Sequence, residues 1–150
     1  MRSSVLPATA LVLATTTLAA CGGVDKQKYV QSVTNLQQKT STEAAYQSDE
    51  MAKATTPGAL SQELSELGTS IDANAKKLAA IETPDEVDTL HADYVDLMEQ
   101  YGRDLKALAG EVKTSDAKTT NRLLKRASTI TAKLATDESK LVTGINSALR

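Results

Sequence analysis

Thr83-Pro84-Asp85-Glu86-Val87-Asp88-Thr89-Leu90 is the stretch on which the reading of the fold turns. A threonine can cap a helix, a proline suits the first helical position, and Glu86, three residues after Thr83, completes a capping box. Beyond it, apolar residues recur at spacings of three and four: Val87, Leu90, Tyr94, Met98 (with Leu97), Tyr101, Leu105, Leu108 and Val112. That is one face of a long helix. Thr114-Ser115-Asp116 breaks it.

The same period extends in both directions. Upstream, residues 25–54 carry the stripe Tyr29, Val33, Leu36, Thr40, Ala44, Gln47, Met51, in which Thr40 and Gln47 are polar. Thr55-Thr56-Pro57-Gly58 reads as a turn. A cleaner stripe comes next in Leu60, Leu64, Leu67, Ile71, Ala75 and Leu78, flanked by Gly68 and Asn74. Downstream, Leu123, Ala127, Ile130, Leu134, Leu141, Ile145 and Ala148 form a fourth stripe, with Asp137 and Glu138 standing where its next core residue belongs. No segment alternates with period two. Four long helices with short connections predict an all-α, antiparallel, up-down-up-down four-helix bundle. The competing architecture is a long helical hairpin that completes its core with a second copy, but four amphipathic faces in one chain make a monomer the expectation. In an antiparallel pairing of the second and third helices, Gly68 and Gly102 come near each other.

Composition agrees. The 150-residue chain has no Trp, no Phe, four Tyr and one Cys, so its core must be built from Ala, Leu, Val and Ile without disulfide support. A formal net charge of −2 implies neither nucleic acid nor an anionic membrane surface as a partner.

The N-terminus reads as an address. Met1-Arg2-Ser3-Ser4 places one positive charge ahead of an apolar run from Val5 to Ala20, too short for a comfortable membrane span. Leu18-Ala19-Ala20-Cys21 then resembles the lipobox of bacterial lipoproteins, and the helical body resembles the small helical lipoproteins of high-GC Gram-positive bacteria. The resemblance implies that residues 1–20 are a signal peptide, that Cys21 carries lipid, that 21–23 are a short linker, and that 24–150 are the bundle. It also implies anchorage at the extracytoplasmic face of the cell membrane, since two or more acyl chains hold stably where one does not.

Candidate chemistry is sparse. His91 is the sole histidine, and with Thr40, Asn74 and the Asp137-Glu138 interruption it falls at broadly similar height along the bundle. These residues are read as one polar layer that fixes helix register. A sharper version pairs His91 with Asp137 or Glu138, which would raise its pKa; a solvent-facing His91 is the plain alternative. One histidine is short of a zinc ligand set. His91 with Met51 or Met98 is the residue pairing a haem would use, although methionine on an apolar stripe is usually core. No catalytic triad, cofactor or metal is expected, and neither is an enzyme. The charges are unevenly placed: Glu82 to Glu99 holds seven acids and no Lys or Arg, whereas Gln100 to Lys133 holds eight bases against three acids. Lys118, Arg122, Lys125 and Arg126 form a candidate surface for an anionic wall polymer or an envelope protein. A carrier or sensor of a small ligand, metal or haem within the bundle is the alternative function.

Overall fold

The computed structural model describes residues 24–150, and among these every regular element is helical. The expected signal peptide, the expected lipid site at Cys21 and the whole linker 21–23 lie outside the described residues. Four helices run in sequence: α1 (Lys26–Lys53), α2 (Pro57–Ala79), α3 (Asp88–Lys113) and α4 (Ala117–Ala148). Short connections force antiparallel neighbours, giving the expected up-down-up-down bundle. No helix of the described residues is long and apolar enough to cross a membrane.

Local chemistry starts three of the helices. Asp25 Oδ1 accepts from the backbone N–H groups of Gln27 and Lys28 at 3.0 and 3.1 Å. Thr56 Oγ1 accepts from Ala59 N at 3.1 Å with Pro57 at the first helical position, and Asp116 Oδ1 accepts from Thr119 N at 2.7 Å. Each satisfies a donor that a helix N-terminus would otherwise leave open.

The capping box at Thr83 does not form. Thr83 Oγ1 instead donates back to the Ile81 carbonyl at 3.1 Å, and Glu86 pairs with Lys26 of α1. Residues Asp85–Val87 make a single 3₁₀ turn, and α3 starts at Asp88 without a side-chain cap. Thr83 is drawn to the chain leaving α2, away from the donors it would need to reach.

The core is centred on α2 and α3, each of which buries nine residues, whereas α1 buries four and α4 five. Leu64, Leu78, Met98, Leu105, Leu108 and Val112 are wholly sealed from solvent. The approach of Gly68 to Gly102 is tight: a Cβ on Gly68 would sit 2.9 Å from the Gly102 carbonyl oxygen. Lys106 and Asp72 pair across the same crossing, and Ser61 Oγ donates to the Ala109 carbonyl at 2.8 Å. α1 packs on α2 and α4 packs on α3, but α1 and α4 scarcely meet. The bundle is therefore open along that edge, as a groove of about 480 Å³ between Ala44, Ser48 and Ala52 of α1 and Leu124, Ser128 and Ala132 of α4.

Candidate functional site

The breaks in the outer stripes resolve into separate polar ties, not one layer. The first joins α1 to α3. Tyr29 and His91 are both buried, with Tyr29 Oη 3.1 Å from His91 Nδ1 and the two rings tilted at 55°. With the hydroxyl donating to Nδ1, the ring proton lies on Nε2, which is buried and has no hydrogen-bond partner among the described residues. Burial depresses the His91 pKa; the Leu78 carbonyl and then Asp88 act in the opposite sense, the carbonyl without hydrogen-bond geometry. The Tyr29 hydroxyl is pushed up to about 12, by burial and then by Asp88. At neutral pH the tie is a contact between two uncharged groups.

The second tie joins α3 to α4. Tyr94 Oη donates to Glu138 Oε1, and Glu138 is only 5% exposed. Burial raises the Glu138 pKa, and the bond from Tyr94 offsets that rise in part. Tyr94 is itself raised by burial and by the carboxylate facing it.

The third tie joins α1 to α2. Asn74 Nδ2 donates to Thr40 Oγ1 at 3.1 Å and to Glu43 Oε2 at 2.9 Å, and Ser70 Oγ donates to the same carboxylate oxygen at 2.5 Å. Against the burial that raises it, these two donors and the charges of Lys39 and Lys77 hold Glu43 below its ordinary value. About two turns beyond Thr40 along α1 the satisfaction is less complete, since Gln47 Oε1 is buried without a partner among the described residues.

Two expectations are corrected. Thr40 and Asn74 do meet, but Tyr29, eleven residues from Thr40, lies roughly 16 Å away along α1, so His91 belongs to a different cluster. His91 pairs with neither Asp137 nor Glu138, and its pKa is lowered instead of raised. Those acids sit on α4, against Tyr101 and Tyr94, while the imidazole is covered by α1. Asp137 lies nearer the surface, accepting from Tyr101 Oη at 3.2 Å and pairing with Lys133 and Lys140. Sequence reasoning misses Tyr29, Tyr94, Glu43 and Ser70. The tyrosines pass as apolar members of their stripes, yet a buried phenol needs a partner for its hydroxyl, and that need is the available signal.

The haem-type pairing is not assembled. Met98 is fully buried in the α2–α3 core, seven residues or roughly 10 Å along α3 from His91, and Met51 lies near the far end of α1. No group of three or more His, Cys, Asp or Glu is placed to hold a metal among the described residues.

The basic surface is real and partly engaged. Arg126 binds both oxygens of Glu111, at 3.0 and 3.2 Å. Lys118, Arg122 and Lys125 are exposed at successive spacings of four and three, along one outward face of α4, with no ion-pair partner among the described residues. The chain was compared with known protein families, curated proteins and solved structures, and it matches none of them.

Proposed function

We propose that the chain is a non-catalytic binding module at the extracytoplasmic face of the cell membrane, held there by lipid on Cys21. It presents the basic face of α4 to an anionic wall polymer or an acidic envelope protein. The observation that carries this reading is the row Lys118, Arg122, Lys125: three exposed cations within roughly 10 Å, none in an ion pair among the described residues, with Asp116 acting on Arg122 only through its field. Their neighbours Arg126, Lys133 and Lys140 are all committed to acids. Uncommitted like charges on one face attract polyanions by a field that salt screens over about 10 Å at 0.1 M.

The test is retention on isolated cell wall across a salt series. The triple variant Lys118→Gln, Arg122→Gln, Lys125→Gln should lose retention at low salt several-fold, while Arg126→Gln should lose much less. Retention that ignores both salt and the triple variant would end the proposal. Anchorage is tested separately: Cys21→Ala should move the protein from the membrane fraction to the medium.

A further inference from the structure

We propose that α1 is a proton-releasable strap, seated on the α2–α3 hairpin by the Tyr29–His91 contact and loosened when His91 takes up a proton, while α2, α3 and α4 stay folded. The strap does not rest on the proposed function of the α4 surface.

The geometry has three parts. His91 is 7% exposed, and Tyr29 of α1 is tilted against its ring at the Nδ1 edge, so lifting the start of α1 opens that edge to water. Its Nε2–H is buried with no partner among the described residues, and a second ring proton has to go on Nδ1, the position that accepts from the Tyr29 hydroxyl, so protonation breaks the contact as it stands. α1 is also the least committed helix, burying only Tyr29, Val33, Thr40 and Met51 and scarcely touching α4. Local opening of such an element lies well below global unfolding in free energy.

The groups around His91 leave the imidazolium poorly served. Asp88 on its own helix is exposed; α2 offers the Leu78 carbonyl; α1 offers only the Tyr29 hydroxyl. Glu138 of α4 is taken by Tyr94, one turn along α3. Lys26 and Glu86 pair with each other at the surface.

Linkage gives the sign. A histidine whose pKa is depressed when covered contributes stability that is present above its ordinary pKa and lost as pH falls, because only the opened form accepts the proton. With an ordinary value of about 6.5, opening of α1 can rise by at most about 30-fold between pH 7.5 and 5.0. The other charged attachments of α1 do not confuse this window. Burial opposes it, but the bonds from Ser70 and Asn74 hold Glu43 below the usual carboxylate range, and Lys26 does the same for Glu86. Burial raises the Glu138 pKa, so protonation relieves the cost of its buried charge and a fall in pH does not loosen α4.

The experiment is hydrogen exchange by mass spectrometry on the full chain at pH 7.5 and 5.0, corrected for intrinsic exchange. It is paired with a proton NMR titration of the single histidine in untagged protein. Peptides from 26–53 should open up to about thirtyfold more at pH 5.0 with α2 and α3 unchanged, and the His91 resonance should titrate with a midpoint below about 6.5. The proposal is overturned if α1 keeps its protection, if all four helices loosen together, or if His91 titrates without any change in α1. His91→Gln, folded by circular dichroism, should abolish the pH difference, and its persistence would also overturn the proposal. Should that variant not fold, the coincidence of the two wild-type measurements decides.

Discussion

Along α2 and α3 the inward positions are Leu64, Leu67, Ile71, Leu78, Met98, Leu105 and Leu108, and the backbones close to near contact at Gly68 and Gly102. Along α1 and α4 the equivalent inward positions include Thr40, Gln47 and Glu138, and Tyr29 of α1 and Tyr94 of α3 spend their hydroxyls across the helix seams on His91 and Glu138. The inner pair is held mainly by apolar burial, which is indifferent to pH, with the Ser61–Ala109 bond and the Lys106–Asp72 pair as its polar additions. The outer helices are held by polar ties whose strength depends on protonation and on every donor finding its acceptor. A bundle built this way has a stable hairpin at its centre and two conditional helices on its flanks. It is at the flanks that the basic row and the open groove lie.

The largest contrast should come from truncating one apolar residue in each region. Leu105→Ala opens a cavity in the fully sealed inner pair and should cost about 2–5 kcal/mol in urea denaturation. Val33→Ala, removing two buried carbons on α1, should cost about 1–2 kcal/mol. If the two cost the same, the inner pair is not the stability centre and the contrast breaks. Next comes the α4 tie. Glu138→Ala leaves the buried Tyr94 hydroxyl without an acceptor and should cost about 1–3 kcal/mol. Glu138→Gln keeps an acceptor and removes the titration. A carboxyl whose pKa is raised on folding loses stability as pH climbs above its unfolded value, because the unfolded chain gives up the proton first. Glu138→Gln should therefore melt higher than the parent at pH 7 and converge with it toward pH 4.

Legibility in the sequence tracks what each feature depends on. The inner stripes need only period and composition, so Leu60 to Leu78 and Leu90 to Val112 read directly as two facing helices. The Gly68–Gly102 approach comes from antiparallel register about a short turn. The polar breaks at Thr40, Asn74, His91 and Glu138 are visible as breaks, but their partners are not. Height along a bundle comes from residue counting. Which neighbour a side chain meets depends on helix rotation, and there Tyr29 and Tyr94 intervene. The basic row is visible as charge, yet the commitment of Arg126 to Glu111 across two helices is not. The N-terminal reading stands on sequence: the Arg2 charge, the apolar run from Val5 to Ala20 and the lipobox resemblance that ends at Cys21.

Glycine substitutions sharpen the contrast at about 1 kcal/mol. Gly110 lies in α3 with nothing within 4 Å of where a Cβ would be, so Gly110→Ala should stabilise by about 0.8–1 kcal/mol through helix propensity. Gly68→Ala gains the same propensity but drives its methyl against the Gly102 carbonyl, a backbone atom that moves only if the helices separate. Overpacking of about 1–3 kcal/mol should outweigh the gain and leave the variant less stable. Opposite signs for one substitution on two helical glycines would locate the close contact. Two increases in melting temperature would remove it.

The smallest effect separates two identical dipeptides. Thr56-Pro57 and Thr83-Pro84 both precede helices, and capping logic treats them alike. Only Thr56 caps: its hydroxyl accepts from Ala59 N, so Thr56→Ala should cost about 1 kcal/mol and fray the start of α2. Thr83 spends its hydroxyl on the Ile81 carbonyl, and the 3₁₀ turn at Asp85–Val87 stands between it and α3. Thr83→Ala should therefore stay within about 0.5 kcal/mol, as surface substitutions away from a cap do. The capping box is the strongest local signal in the sequence, yet α3 has no need of it. Val87, just before its first residue, and Tyr94 and Met98 within its first three turns are each buried to 1% exposure or less, and that tertiary burial holds the helix start which no side chain caps. α2 begins at the rim of the bundle with Pro57 and Gly58, and has no such burial until Leu60. A Thr83→Ala cost equal to that of Thr56→Ala would mean that the α3 start depends on its local sequence after all, and that the inner pair is less self-sufficient than its burial implies.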